Sequence, residues 1–294
     1  MTKPLWVQFP KVPEDLHPSH PCYFKTRSEY WETYTGPVRR ALATLDIPWN
    51  APPEPEHGLV IRWGFPDRTI VAGVCYSDYP DLAPWAGSTI DLLMKMKYHP
   101  DREQTAEITF PVYPGGFCLA VGAGTGDTNA FLADELSILR ETKDTAQIPK
   151  LFTTGACRHF NTYIPNRKRF EKICVNDWLD PAKYWWHLAT HKWMLNVCGN
   201  GYSIDRKTVE ACAIGCAIIS DRGLEDLALP DGNYFIHGDN IWFVDGPDDV
   251  ASAMEAIDGP TWERLVASSR ALYESCFSPE SMGAWYLKCA QEQL

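Results

Sequence analysis

Residues 191–221 have the sequence HKWMLNVCGNGYSIDRKTVEACAIGCAIISD, and this stretch decides how the rest of the chain is interpreted. It contains an apolar run at 194–198 that is short enough for a buried strand. Gly199–Asn200–Gly201 follows at once and permits a tight turn with positive φ. Residues 206–216 are apolar on nearly every side of a predicted helix, and 217–220 form the next apolar run. The pattern predicts one βαβ unit.

The glycine turn and the beginning of the predicted helix form a site suited to phosphate. Unpaired backbone N–H groups at a helix N-terminus attract anions. Arg206 and Glu210 are four residues apart, so they lie on one face of the helix near this end. A guanidinium can bind a diphosphate through two parallel hydrogen bonds, and the glutamate can accept hydrogen bonds from ribose hydroxyls. The same spacing also fits an intrahelical ion pair, worth about 0.2–0.5 kcal/mol.

The order of these residues resembles the donor-binding segment of exostosin-type and CAP10-like glycosyltransferases. Residues 201–221 contain a glycine, an arginine, a glutamate one turn later and a Gly-Cys pair before a strand. Residues 224–257 resemble the sequel in such a domain, and 233–236 is expected to form a strand there. The resemblance implies the GT-B architecture, an α/β fold in which two Rossmann-like domains face each other across a cleft.

A second segment, LFTTGACRHFNTYIPNRKRFEKIC at 151–174, resembles the first donor-domain segment of the same transferases. That pattern places a glycine after a strand and an arginine about ten residues later, which fits Gly155 and Arg167. Arg158 lies in the loop between them. Five basic residues occur between positions 158 and 172 of an otherwise acidic chain. A basic, solvated helix face is the alternative explanation, and it suits Lys168 and Lys172 best.

The resemblance implies that the substrate is a nucleotide sugar, with UDP or GDP as the leaving group, and that the acceptor is a glycan or another hydroxyl compound. No cofactor or metal is required, because arginines and a helix N-terminus can offset the phosphate charge. The residues expected to bind the donor are Gly155, Arg158, Arg167, Gly199, Asn200, Gly201, Tyr202, Arg206 and Glu210.

Asp78 and Asp81 are the candidate catalytic residues. They follow directly on a β-branched run at 69–75, and loops after strands are where ligands bind in open α/β sheets. A carboxylate there could deprotonate an acceptor hydroxyl. The alternative is a simple turn, since Asp and Pro are common turn residues.

The expected domains are an acceptor-side domain at 1–112, a donor domain at 113–275 and a C-terminal helix at 276–294 that crosses back to the first domain. Residues 108–117, ITFPVYPGGF, contain two prolines and two glycines. This composition predicts a hinge between the domains.

Composition narrows the class of protein. With 294 residues the chain is long enough for two domains, and its formal net charge of −11 argues against a nucleic-acid partner. No run of about 20 apolar residues is present, so no transmembrane segment is expected. The N-terminus lacks the apolar core of a signal peptide. Ten cysteines without a CxxC pair are expected to be buried, reduced thiols, which fits a cytoplasmic protein.

Two other functions stay open. Residues 121–127, VGAGTGD, resemble the first motif of S-adenosylmethionine-dependent methyltransferases. Against this interpretation, the next predicted strand is not followed by the acidic residue that would bind the cofactor ribose. A non-catalytic protein that binds glycans or nucleotides on the same fold is the other alternative, because a fold does not fix a function.

Overall fold

The structure is a computed structural model. It describes residues 2–8, 38–49, 60–75, 82, 85–95, 98, 108–115, 129–145, 148–153, 165–175, 179, 181–198, 204 and 206–294. The side chains at 129–134, 165–166, 181–182 and 206 lie outside this description.

The chain divides into two compact units, each with its own sheet. The first unit comprises Met1–Gly124, Ala228–Asn233 and Ser278–Leu294, and the second comprises Thr125–Leu227 and Tyr234–Phe277. Helices and largely parallel strands occur together, so the predicted α/β class is confirmed. The domain bounds expected from the sequence stay a prediction.

The first sheet has five strands in the order β1-β2-β3-β4-β5. Strands β3, β4 and β5 are parallel, whereas β1 and β2 run antiparallel to their neighbours. The expectation of a Rossmann-like sheet therefore holds for only part of this unit. The strands are β1 (Trp6–Gln8), β2 (Val60–Gly64), β3 (Thr69–Cys75), β4 (Leu92–Lys95) and β5 (Val112–Pro114).

A short loop explains why β2 and β3 are antiparallel. Only four residues separate β2 from β3, and so short a connection forces antiparallel pairing. The N–H of Phe65 donates to the carbonyl of Arg68 at 2.9 Å and closes that turn.

The hinge expected at 108–117 contains β5, which is an edge strand and therefore tolerates Pro114. Residues 112–114 of this stretch therefore form a strand of the sheet.

The core of the first unit packs the sheet against two helices. One is α1 (38–43) and the other is the C-terminal helix α8 (Pro279–Gln291). Helix α8 contributes Met282, Tyr286, Cys289 and Ala290 to this core.

The second sheet has four strands, all parallel, in the order β6-β7-β8-β9. They are β6 (Ile148–Phe152), β7 (His191–Asn196), β8 (Ala217–Asp221) and β9 (Trp242–Val244). Strands β7 and β8 flank helix α5 (Arg206–Ile214), so the predicted βαβ unit is confirmed. The other helices of this unit are α2 (Asn129–Thr145), α3 (Pro165–Arg169), α4 (Pro181–Thr190), α6 (Asp249–Ala256) and α7 (Gly259–Leu272).

Helix α5 ends on a fully hydrogen-bonded turn. Gly215 has φ +89°, and its N–H donates to Cys212 O at 3.1 Å while the next N–H donates to Ala211 O at 2.8 Å. Two arginine Nε atoms take the remaining carbonyls. Arg140 donates to Ala213 O at 2.7 Å and Arg270 donates to Ile214 O at 3.1 Å. All four carbonyls that lack an intrahelical partner are therefore satisfied.

The strand expected at 233–236 is wrong, since these residues pair with no strand. The side chain of Asn240 takes their backbone groups instead, accepting from the Ile236 N–H at 2.8 Å and donating to Tyr234 O at 3.1 Å. This local hydrogen bonding competes with sheet formation. The strand that joins β8 is β9, a few residues later.

Six described cysteines are buried, free thiols, as the sequence predicts. Cys174 is the exception, because it is disulfide-bonded, so the expectation of uniformly reduced cysteines is wrong. Among the helices that the structure describes, none has the length and hydropathy needed to cross a membrane.

Lys143, near the end of α2, is a fully buried lysine. Its ammonium donates to Leu188 O at 3.2 Å and to His191 O. Leu188 belongs to the last turn of α4, whose carbonyls need partners from outside the helix. Burial lowers the pKa of Lys143 below its ordinary value of 10.5.

We expect Lys143→Met to remove a pH-dependent part of the stability. The pKa of Lys143 in the folded chain lies below 10.5, its ordinary value in the unfolded chain. Between these two pKa values the unfolded chain binds more protons than the folded chain, so the stability of wild type should rise with pH there. Methionine does not titrate. Urea unfolding from about pH 7 to 10 should therefore show wild type gaining stability relative to the variant. Lys168→Met, which removes the same charge from an exposed position, is the control. A constant difference for Lys143→Met would contradict the assignment.

Candidate functional site

The carboxyl ends of β6 to β9 lie along one edge of the second sheet because the four strands are parallel. We call this edge, together with the residues just after each strand, the carboxyl edge. Polar residues end two of the strands here. Asn196 is the last residue of β7, and Ser220 and Asp221 are the last two of β8. Ligands of open α/β sheets bind at such an edge, particularly where a helix N-terminus faces it.

Arg167 is a predicted donor-binding cation whose side chain the structure describes. It lies in α3 with 8 % of its surface exposed, and its Nε donates to the carbonyl of Val197 at 3.3 Å. Val197 immediately follows β7 and precedes Gly199 by two residues. Residues thirty positions apart in the sequence therefore meet at the beginning of the glycine segment.

The neighbours of Arg167 behave differently. Lys168, Arg169 and Lys172 are exposed, so the alternative of a solvated basic face describes them well. Arg169 donates to the carbonyl of Asp245 at 2.9 Å. The contrast separates one buried cation from a basic surface in the same short segment.

A surface ion-pair group lies at the ends of β8 and β9. Arg222 pairs through Nε with Asp245 and through Nη1 with Glu225 at 2.7 Å. Hydrogen bonds to Asp245 and then Glu225 raise the pKa of the Arg222 guanidinium. These pairs are solvent-exposed and contribute little stability, about 0–1 kcal/mol each. They give Arg222 local carboxylate partners.

Glu210 lies one turn after Arg206 in α5 and is 4 % exposed. It is therefore not a solvated surface acid. Arg206 is the first residue of α5, and its side chain lies outside the described part of the chain. The ion-pair alternative for these two residues stays open.

Most other predicted site residues lie outside the described residues. They are the candidate catalytic residues Asp78 and Asp81, the donor-site residues Gly155, Arg158, Gly199, Asn200, Gly201 and Tyr202, and the VGAGTGD motif at 121–127. Their proposed roles stay predictions. Among the residues that the structure does describe, no group of three or more His, Cys, Asp or Glu side chains could hold a metal ion.

Four buried polar residues, three at the carboxyl edge and one in the first turn of α5, were not predicted from the sequence. They are Asn196, Thr208, Ser220 and Asp221. A polar residue at the end of each of two buried strands was the available signal, because a buried polar group needs a hydrogen-bond partner.

Comparison with known proteins gives one family match. Residues 138–281, just under half of the chain, match a family model described as glycosyl transferase-like. This range includes the whole second sheet, Arg167, α5 and the glycine segment, and it excludes the VGAGTGD motif. The match supports glycosyl transfer in general. No curated protein matches the chain.

Three solved structures are similar to this chain at low identity. Anabaena HepE in complex with UDP and glucose has 14% identity and a TM-score of 0.41, with 69% of this chain and 63% of that chain covered. Sucrose-phosphate synthase from Thermosynechococcus elongatus has 16% identity and a TM-score of 0.41, with coverage of 69% and 58%. A glycosyltransferase from Rickettsia africae has 8% identity and a TM-score of 0.41, with coverage of 91% and 75%.

The chain thus spans less than two thirds of the length of the first two of these proteins. TM-scores this low do not support a function for this chain.

Proposed function

We propose that the chain is a nucleotide-sugar-dependent glycosyltransferase of the GT-B type, resembling the exostosin and CAP10-like families. The observation that carries this proposal is the family match over 138–281, which includes the glycine segment and α5. The buried Arg167 at the same sheet edge supports it further. The donor is proposed to be a UDP- or GDP-sugar.

The donor diphosphate would lie between the N-terminus of α5 and the glycine segment Gly199–Gly201. Negative charge builds on the diphosphate as its bond to the sugar breaks. Arg167, Arg206 and the N–H groups of the helix N-terminus would offset this charge, so no metal or cofactor is needed. Glu210 would accept hydrogen bonds from the ribose hydroxyls. Gly155, Arg158 and Tyr202 complete the proposed donor site.

The acceptor, a glycan or another hydroxyl compound, would bind near residues 76–81. Asp78 or Asp81 would act as the base that removes the proton of the attacking hydroxyl. The acceptor oxygen then forms the new bond to the anomeric carbon, and the nucleoside diphosphate departs. The donor is thus proposed to bind to one domain and the acceptor to the other, as the resemblance predicts.

The first test is a thermal-shift screen of the wild-type chain with UDP, GDP, CDP and S-adenosylhomocysteine. A ligand that binds only the folded state raises the melting temperature, and at a hundred times its Kd it adds about 2.7 kcal/mol. A shift with a nucleoside diphosphate supports the proposal. A shift with S-adenosylhomocysteine alone would favour the methyltransferase and overturn it.

We expect Arg206→Ala to weaken nucleoside diphosphate binding by about 10- to 100-fold. The reason is that charge-assisted hydrogen bonds to a phosphate contribute about 1.5–3 kcal/mol. Isothermal titration with the nucleotide that shifts wild type would measure the loss. Lys168→Ala removes an equal charge from an exposed position and should leave the affinity unchanged. Equal affinities for Arg206→Ala and wild type would refute the role of Arg206.

Catalysis separates an enzyme from a non-catalytic binding protein. Wild type should release nucleoside diphosphate from the corresponding nucleotide sugar when hydroxyl acceptors are supplied. Asp78→Asn and Asp81→Asn should each be compared with wild type. Removing the carboxylate of the residue that acts as the base should lower kcat by about 100-fold or more. Binding without any release across a broad acceptor panel would favour the binding protein.

A further inference from the structure

A buried chain of hydrogen bonds joins α5 to the ends of β7 and β8. Its members are Thr208, Asn196, Ser220 and Asp221, each at most 4 % exposed. Thr208 Oγ1 donates to Asn196 Oδ1 at 3.2 Å, and Asn196 Nδ2 donates to Ser220 Oγ at 3.0 Å. Ser220 Oγ in turn points at Asp221 Oδ1 at 3.5 Å. Each donor points toward the next acceptor, and the chain ends on a carboxylate.

The carboxylate of Asp221 holds the backbone at the ends of both strands. The N–H of Cys198 lies 3.2 and 3.3 Å from its two oxygens, and the N–H of Gly223 lies 3.4 Å from Oδ1. The turn after β8 also presses closely on Cys198, because a Cβ built at Gly223 would lie 2.5 Å from Cys198 Cβ. Asp221 therefore fixes the position of Cys198, the last described residue before the glycine segment.

The other end of the same chain lies after the glycine segment. Thr208 is the third residue of α5, so its bond to Asn196 fixes the first turn of that helix on β7. Ile204 is buried as well. Cys198 and Thr208 bracket the glycine segment, and one continuous set of buried hydrogen bonds holds both of them.

We propose that Thr208, Asn196, Ser220 and Asp221 are positioning residues that hold the two ends of the glycine segment in the arrangement that binds the donor diphosphate. This inference rests on the proposed function, since it assigns these four residues to the donor site. Apolar residues of similar shape could fill the same space. A hydrogen-bonded chain specifies the geometry of both ends in addition, because its bonds are directional.

Thr208→Val tests the inference, since valine keeps the shape of threonine and lacks the hydroxyl. UDP and GDP are the probes. The Kd of whichever binds wild type should rise about three- to tenfold, as expected when one hydrogen bond no longer orders the site. Amide hydrogen exchange at Cys198 and in the first turn of α5 should become faster, while the core strand β8 keeps its protection. In turnover assays the donor KM should rise and kcat should change little.

Thr208→Ser is the matched control. It keeps the hydroxyl, so it should restore the Kd and the exchange rates to within about twofold of wild type. A merely structural role for Thr208 would not predict this rescue, because serine loses the methyl group that fills space. If Thr208→Val does not fold, Ser220→Ala breaks the same chain one member further along and is measured in the same way.

The outcomes separate the two proposals. Binding of neither UDP nor GDP by wild type would overturn the proposed function and this inference with it. If wild type binds and the variant has the same Kd and the same exchange at Cys198 and in the first turn of α5, the proposed function stands and the positioning role is refuted. A larger Kd with faster exchange, both rescued by serine, supports the positioning role.

Discussion

Gly283→Val should destabilise the first unit by about 3 kcal/mol or more, since overpacking of a tight contact typically costs about 1–3 kcal/mol and sometimes more. A Cβ built at Gly283 would lie 2.2 Å from the carbonyl oxygen of Ala41 and 2.7 Å from Thr44 Oγ1. The first of these is a backbone atom, so no side-chain rotation relieves the overlap. Helix α8 would have to move away from α1.

That movement would also disturb the core that α8 completes, including Met282 and Tyr286. Urea and thermal unfolding of the full chain would measure the loss. Gly259→Val is the matched control, because nothing lies within 4 Å of a Cβ built at Gly259. It should change the stability by less than about 0.5 kcal/mol. Equal stabilities for the two variants would mean that α8 and α1 are not in this close contact.

Gly215→Ala should destabilise the second unit by roughly 2 to 4 kcal/mol, for two reasons. The residue has φ +89°, a conformation that costs a residue with a side chain about 1–2 kcal/mol. The new Cβ would also lie 2.3 Å from Arg270 Nε. That nitrogen donates to Ile214 O, so the substitution displaces one of the groups that cap α5.

Gly238→Ala is the matched control, because it introduces the conformational cost without the contact with Arg270. Gly238 has φ +75° and nothing lies within 4 Å of its built Cβ, so only the conformational cost of about 1–2 kcal/mol applies. The difference between the two variants, measured by urea unfolding, should give the cost of displacing Arg270. Because α5 contributes Arg206 and Glu210 to the proposed site, Gly215→Ala should weaken nucleotide binding as well, whereas Gly238→Ala should not. No difference in stability would contradict the capping role of Arg270.

The sequence predicted elements of both units well where patterns were local. The apolar run at 217–220 is contained in β8, and α5 begins at Arg206 as expected. β3 spans the β-branched run at 69–75 without a shift. Such elements are predictable because burial demands an unbroken apolar run or a helical period, and both can be counted in a single sequence.

Predictions failed where a nearby polar side chain or a short loop decided the outcome. The strand expected at 233–236 was lost to the amide of Asn240, which takes its backbone groups. The first sheet is mixed because a four-residue connection between β2 and β3 imposes antiparallel pairing. Neither competition is visible in hydrophobic periodicity.

Part of the candidate site could likewise be predicted from the sequence, and part could not. The glycine segment, Arg206 and Glu210 were proposed from residue type and spacing, because helical geometry places residues four apart on one face. The sequence favoured a solvated surface for Lys168 but left the burial of Arg167 undecided, because adjacent basic residues share one local pattern.

The local pattern of residues is enough to infer a βαβ unit with a glycine segment followed by an arginine and a glutamate one turn apart. Which cation is buried beside Val197, and which polar residues connect the ends of β7 and β8, depends on the packing of the folded chain. The difference lies in the sequence distance over which each kind of interaction acts. Helix and strand patterns repeat within a few residues, whereas a buried hydrogen bond such as that between Asn196 and Ser220 depends on strand packing that brings distant residues within 3.0 Å.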